Sequence, residues 1–304
     1  MSSKTASASS AQPATPDLVI DLARFAATID AARLDDAVVK AVKTNILDTL
    51  SCALAGSSAK AIAEVSGLVK EWGGAAQADM FVFGGKFPAH HAAWVNGGMS
   101  HARDYDDTHD AAILHAGVTS VPAAIATGQL RGKLSGADLI AAVAAGLEVT
   151  CRLGVAIKVD IIESGFIYTS LLGYFGATAA AGRALGLTAD EMVNAFGIVY
   201  SSVAGNHQVT RDASLMKRLQ PGLAAQAAVV AVQLAKRGIR GAQHVFEGAD
   251  GFFRAVALPA GTHRVTFRYR PLSVLVGAGI SAVSLLTILL LAYQGEPIRV
   301  GRRR

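Results

Sequence analysis

From Asn96 to Gln129 the chain places three histidines and four aspartates between two flanks of almost unbroken apolar and small residues. That juxtaposition limits what the chain can become. An ionised carboxylate costs several kcal/mol to bury unless it is paired or hydrogen-bonded. Asp104, Asp106, Asp107 and Asp110 therefore cannot all sit idle in the core that the flanks must build. The stretch is either a solvated loop or a functional site. His101, His109 and His115 titrate near neutrality and Thr108 adds a hydroxyl, which argues for a site. A loop that only faced water would more often carry Lys, Glu, Ser and Pro.

The flanks point to helix. With 304 residues and 52% hydrophobic content the chain can bury a core of one large or two ordinary domains. It is rich in Ala, Gly, Leu and Val, and only 6% is aromatic, which favours closely packed helices over a sandwich or barrel. The fold class that follows is mainly α, a multi-helix bundle. The net charge of +5 owes much to Arg299, Arg302, Arg303 and Arg304, so no basic face for nucleic acid is indicated. Cys52 and Cys151 are the only cysteines and form no CxxC. A disulfide scaffold and a zinc ribbon are thus unsupported, and reduced, buried thiols in a cytoplasmic protein are expected.

Met1 to Pro16 is Ser, Ala, Thr and Pro without a sustained apolar run and reads as a flexible tail, so the fold should begin near Asp17. Helices are expected over Leu18 to Ile29, over Ala37 to Leu54 with Asp35 or Asp36 as cap and Gly56 as stop, and over Ala59 to Trp72. Asp48, inside the second, is expected to bond a neighbouring helix end. Met80 to Phe83 suggests an extended connection before Pro88, after which helix resumes at Ala89. His90 and His91 at that start gain nothing from the helix dipole, and solvated or capping roles are expected of them. Helix returns at Val121 to Gly128. Ser135 with Asp138 opens Ala137 to Leu153, and Thr188 with Glu191 is a capping box opening Ala189 to Ala204. Ala177 to Leu185 and Leu223 to Arg237, the latter closed by Gly238, are further Ala-rich helices. No βαβ alternation or internal repeat is visible.

One ordered series of residues carries a resemblance. LeuAspThrLeu at Leu47 to Leu50 precedes Ala55-Gly56, Asn96-Gly97, His101, the run Asp104-Tyr105-Asp106-Asp107-Thr108, and His115. Gly165-Phe166 with Thr169, Lys217 with Gly222, and FEGADGFF at Phe246 to Phe253 complete it. The series resembles the MmgE/PrpD family, which includes 2-methylcitrate dehydratase, cis-aconitate decarboxylase and iminodisuccinate epimerase. The likeness covers about Asp17 to about Ala255, and the DYDDT-to-His segment is its most specific part. It implies a large helical domain, a smaller α+β lid, a homodimer, and an active site between domains that works without metal or other cofactor.

Carried over position by position, the family's catalytic and substrate-contacting residues fall on Asp104, Thr108, His115 and Lys217, with His101 and Asn96 also matching the motif. Removing water or carbon dioxide from a polycarboxylate, or inverting a centre beside a carboxylate, needs a group to move a proton next to an anionic carbon acid, and cations to hold the carboxylates. The expected roles are proton transfer for His115, orientation of an imidazole for Asp104, a substrate hydrogen bond for Thr108, and a carboxylate contact for Lys217. Asn96 and His101 are further substrate-binding candidates. As helical neighbours Asp104 and Thr108 would face one cavity. The resulting expectation is a lyase for small polycarboxylates, foremost a 2-methylcitrate dehydratase-like hydro-lyase, with a decarboxylase or epimerase of the same family as alternative. Where many members carry His-Pro after Gly-Phe, this chain has Ile167-Tyr168, which bears on substrate choice.

Two readings from other classes compete. A metal-dependent phosphohydrolase would use His109-Asp110 with His101 and Asp106 as hard ligands for a divalent ion. A non-catalytic or membrane-attached remnant would rest on the C-terminal region. Residues 17–264 form the expected helical domain, and 265–304 a divergent or truncated lid segment. Pro271 to Tyr293 there has no charge, and its 23 residues would span about 34 Å, long enough to cross a hydrocarbon core. A membrane contact is physically allowed, but a buried helix or a shortened lid is preferred.

Overall fold

Asp17 fixes where the fold begins. In the computed structural model, which describes residues 16–157 and 165–255, its buried carboxylate accepts from Val19 N (2.9 Å), Glu247 N (2.7 Å) and Phe246 N (3.2 Å). The first turn of the chain is thereby tied to the FEGADGFF segment 229 residues later. Behind that tie Phe175 meets Phe246 and Phe252, each at a centroid distance of 5.0 Å, in an aromatic cluster that joins α7 to the end of the described chain.

Eleven α-helices follow in order among the described residues: α1 (Val19–Thr28), α2 (Asp36–Gly56), α3 (Ile62–Trp72), α4 (Ala89–His101), α5 (Gly117–Arg131), α6 (Gly136–Ala156), α7 (Tyr168–Leu185), α8 (Ala189–Tyr200), α9 (Gln208–Arg211), α10 (Met216–Lys236) and α11 (Phe252–Ala255). A two-stranded antiparallel ribbon, β1 (Ala78–Asp79) and β2 (Lys86–Phe87), stands between α3 and α4. The mainly α bundle read from composition is what forms. The caps read from sequence also form: Asp35 accepts from Val38 N at 2.7 Å, Ser135 from Asp138 N at 3.0 Å, and Thr188 and Glu191 close a reciprocal capping box.

Small residues set the spacing of the central helices. α5, α6 and α7 meet where Gly173 lies against Thr119, Gly176 against Thr150, and Gly146 against Ser120 and Ala180. A backbone-to-backbone approach joins α4 to α10. A Cβ on Gly97 would lie 2.9 Å from the Gly222 Cα, and one on Gly222 would overlap the Trp94 carbonyl oxygen and lie 2.8 Å from Gly98 N. Only hydrogen fits between these backbones. α6 is long and apolar enough to cross a membrane by length and composition alone, yet 56% of its most apolar window is buried inside the protein, as expected of a central packed helix.

Several boundaries move. α7 starts at Tyr168 and α10 at Met216, each earlier than periodicity suggests, because contacts from neighbouring helices hold first turns that have no side-chain cap. Met80 to Phe83 is the reversal between β1 and β2 and not an extended connector; Val82 is left-handed there, with φ 61°. His90 and His91 do not cap α4. Pro88 is its N-cap residue, and the two half-buried rings lie tilted against each other at 4.0 Å, with His91 against Trp72 at 5.1 Å. Burial holds both imidazoles below their ordinary titration range. Cys52 and Cys151 are free thiols, pushed up by burial to about 11 and about 12, so neither is a ready nucleophile. The expected tail over residues 1–16, apart from Pro16, and the expected lid segment over 265–304 with its apolar stretch 271–293 lie outside the described residues.

The glycine contact between α4 and α10 predicts a stability cost. Gly222→Ala should lower the stability of the full chain by about 1–3 kcal/mol through overpacking against the Trp94 carbonyl. The urea unfolding midpoint reads it, and an unchanged midpoint would mean that the two helices can separate without loss.

Candidate functional site

α4 ends at His101, the last residue of a helix in which every position from Val95 onward is buried. The chain then turns through Asp104, whose φ of 54° is left-handed, a conformation in which Asp is enriched among non-glycine residues. Asp104 and Thr108 are consequently not neighbours on a helix, contrary to the expectation from their spacing. The turn carries Asp106 inward, with a side chain fully removed from solvent.

One oxygen of Asp106 serves two rings. Its Oδ2 lies 2.9 Å from His101 Nδ1 and 3.1 Å from His115 Nδ1, and the two imidazoles sit edge to face at 4.9 Å. His115 Nδ1 also faces the carbonyl oxygens of Asp107 (2.9 Å) and Asp106 (3.3 Å). All of these neighbours can only accept, so the hydrogen on each neutral ring belongs on Nδ1 and the lone pair on Nε2. The His115 backbone N–H is held by Thr169 Oγ1 at 3.0 Å, which fixes the residue against the buried start of α7.

The cation comes from the first turn of α10. Lys217 is poorly placed by the helix dipole, which disfavours positive charge at an N-terminus, and two partners offset this. Its Nζ donates to Asp104 Oδ1 and to His101 Nε2, the latter at 3.1 Å. Asp104 Oδ1 is itself 3.4 Å from His101 Nε2. The result is a continuous chain from His115 through Asp106 and His101 to Lys217 and Asp104, joining the end of α4, the following loop and the start of α10.

Electrostatics differ sharply among the adjacent carboxylates. Burial alone would raise the Asp106 carboxyl, but the hydrogen bonds from His101 and His115 outweigh it and hold the group well below the usual carboxylate range. Burial also opposes charging of His115, and the hydrogen bond to Asp106 and the charges of Asp106 and Asp107 overcome that, so this imidazole titrates above its ordinary value. Asp107 is pushed up to about 6 by burial and by the charge of Asp106, despite hydrogen bonds from Ala116 N and Gly117 N at the head of α5. Asp48 is raised too, by burial foremost, and accepts from Asp107 N at 3.0 Å. Its expected structural role thus takes a slightly different form, since it braces the loop and not a helix end.

Of the residues singled out from sequence, Asp104, His101, His115 and Lys217 are brought together. Thr108 is exposed and its hydroxyl has no hydrogen-bond partner among the described residues. Asn96 is used elsewhere: its Oδ1 accepts from Phe81 N (2.9 Å) and its Nδ2 donates to Asp79 O (3.0 Å), pinning the β1–β2 ribbon to α4. Asp106 has the orienting position expected of Asp104, because it reaches both Nδ1 atoms while Asp104 reaches the lysine. No local periodicity distinguishes it within an acidic run; the five-residue step from the last helical histidine is its only mark.

The metal-site alternative takes a different shape. Among the described residues, His101, Asp106 and His115 offer ligand atoms within 4.8 Å of one another, whereas His109 and Asp110 stand outside that group. Asp110 is exposed and His109 Nδ1 is buried without a partner. The Asp106 separations of 2.9 and 3.1 Å are those of direct hydrogen bonds.

Comparison with known proteins follows the same motifs. Residues 20–264 match the family described as the MmgE/PrpD N-terminal domain. The cis-aconitate decarboxylase-like protein oryM of Aspergillus oryzae is 27% identical over 249 residues, which are 80% of this chain and 51% of that protein. Cis-aconitate decarboxylase of Aspergillus terreus is 27% identical over 238 residues, 77% of this chain and 48% of its own length. Cis-aconitate decarboxylase of Homo sapiens is 32% identical over 231 residues, 72% and 46% respectively. The chain spans about half the length of the curated relatives it matches. With the family's N-terminal domain matched over most of its length and the acidic and imidazole motif folded into one cluster, this chain belongs to the MmgE/PrpD family.

Proposed function

We propose that this chain is a lyase for small polycarboxylates, in which His115 moves a proton at the carbon beside a carboxylate and Lys217 grips an anionic arm of the substrate. The observation that carries this is the geometry of His115. Its Nδ1 is fixed by three acceptors, no partner among the described residues engages its Nε2, and a lysine is linked to the same cluster through His101.

Loss of carbon dioxide is the reading best supported. The similar proteins named above are cis-aconitate decarboxylases or like them, and an imidazole that titrates above its ordinary value is suited to hold a proton ready near neutrality. In that reaction the bond to the departing carboxylate breaks and its electron pair stays on the carbon skeleton, conjugated with the neighbouring unsaturated carboxylate. Nε2–H of the imidazolium then supplies the proton that completes the product. Lys217 offsets the charge that develops. Loss of water from a 2-methylcitrate-like substrate is the second reading, and it needs the opposite state, a neutral His115 that accepts a proton. Ile167 gives its N–H to Gly205 O and Tyr168 opens α7, so the positions that depart from the family's His-Pro contribute no imidazole to either reaction.

The pH profile separates the two. For decarboxylation kcat falls as pH rises through the His115 titration, which lies above that of an ordinary imidazole. For dehydration it falls as pH drops through the same titration. Measuring turnover of cis-aconitate, 2-methylcitrate and iminodisuccinate by the full chain, with NMR in heavy water, is the direct test; a chain that exchanges or converts none of them removes the lyase reading.

His115→Gln should reduce any such turnover by about 100-fold or more, the usual worth of a positioned acid or base. Lys217→Ala should lower kcat/KM by about 10- to 100-fold, corresponding to one charge-assisted hydrogen bond of about 1.5–3 kcal/mol. Undiminished kcat/KM in either variant would remove that residue from the proposed mechanism.

A further inference from the structure

We infer that Asp106 is a positioning residue for both histidines, His101 and His115, keeping the hydrogen of each neutral ring on Nδ1 so that Nε2 is the atom each ring presents. The inference rests on the lyase reading only where it concerns rate; the tautomers themselves are a property of the free protein.

The comparison with its neighbour shows why this is more than a structural carboxylate. Asp107 spends both oxygens on backbone, taking Ala116 N and Gly117 N at the head of α5. Asp106 takes no backbone donor among the described residues. Its Oδ2 is shared by two imidazoles, and its Oδ1 is buried with no hydrogen-bond partner among the described residues. Leaving a carboxylate oxygen buried and unpaired is costly, and a group that only braced the fold would be expected to satisfy both. What the arrangement secures is a single hydrogen on each Nδ1.

That placement has different consequences at the two rings. At His101 it leaves Nε2 as an acceptor for Lys217, 3.1 Å away, so the ammonium is aimed by a neutral ring as well as by Asp104. At His115 it leaves Nε2 as the one nitrogen through which a proton can come or go. A rotated or alternate tautomer at His101 would set an N–H against the lysine's own hydrogens, and one at His115 would set a lone pair against two carbonyl oxygens. One buried oxygen therefore coordinates a proton-transfer group and a substrate-gripping cation that come from distant parts of the chain.

The test is nitrogen-15 NMR of histidine-labelled full chain without substrate, recorded at a pH above the His115 titration, with His101→Gln and His115→Gln spectra assigning the two rings. Both should show the Nδ1–H pattern. In Asp106→Asn the amide offers N–H as readily as a carbonyl, so the single-tautomer pattern at His101, whose Nδ1 has no other acceptor among the described residues, should be lost, while two backbone carbonyls still favour Nδ1–H at His115. In the same variant kcat should fall by about 10- to 100-fold, as for other orienting partners, with KM little changed. A wild-type spectrum with His115 in the Nε2–H form overturns the inference, whether or not the Asp106 variant folds. So does a folded Asp106→Asn protein with wild-type spectrum and wild-type kcat. If the wild-type chain turns over no polycarboxylate, the lyase reading fails by itself and the spectra still decide the role of Asp106.

Discussion

The backbone contact between α4 and α10 is what allows the rest of the site to exist. His101 ends one helix and Lys217 lies in the first turn of the other, 116 residues away in sequence, and the 3.1 Å hydrogen bond between them depends on where the α4–α10 contact places those two ends. Gly97, Gly98 and Gly222 remove the obstructing atoms. Interiors are packed too densely for a compensating shift, so the glycines are a geometric condition on the site and not a local convenience. The apolar clusters on either side then hold the helices at that separation, with Leu219 of α10 buried alongside Val95 and Met99 of α4.

Three successive acidic positions in one loop are handled in three ways. Asp104 stays half exposed and meets a lysine; Asp106 is sealed between imidazoles; Asp107 closes the head of a helix. Their proximity is itself consequential, since the charge of Asp106 raises Asp107 and, with that of Asp107, raises His115. Such mutual perturbation of neighbouring groups marks sites where protons are moved more often than it marks plain ion pairing. The loop conformation needed to arrange it is unusual, with Asp104 and Ile113 both left-handed. For a β-branched residue such as Ile113 that backbone is strained, at a cost of about 1–3 kcal/mol that the surrounding tertiary structure must offset.

Much of the fold was legible because its signals are local. Asp35, Ser135 and Thr188 announce helix starts through bonds three residues away, and Ala and Gly content announces close helix packing. The early starts of α7 and α10 were not legible, since nothing in Tyr168-Thr169 or Met216-Lys217 caps a helix; the turns are held by tertiary contacts. The site was half legible. Residue chemistry and family resemblance pointed to His101, Asp104, His115 and Lys217, which do converge. Asn96 misled because an amide within a motif looks the same whether it meets a ligand or a strand, and its two bonds to the β1–β2 ribbon depend on a reversal that periodicity did not reveal. Asp106 enters the sequence reading only as a candidate metal ligand, and the orienting role falls to Asp104, because the distinction between them is one of backbone handedness at position 104.

The lysine's attachment to Asp104 has a consequence for how an anion would enter. If Lys217 receives a carboxylate from outside, it already holds one, presented by a half-exposed side chain on a turn. Admission is then an exchange of one acid group for another and leaves the cation's charge balance nearly unchanged, so a simple monoacid gains little from the swap. A molecule bearing several acid groups does better, because the second and third can engage donors that the displaced aspartate never touched. On the proposed reading, the resting ion pair would work in this way as a filter on valence, favouring visitors that bring more negative charge than the loop can supply.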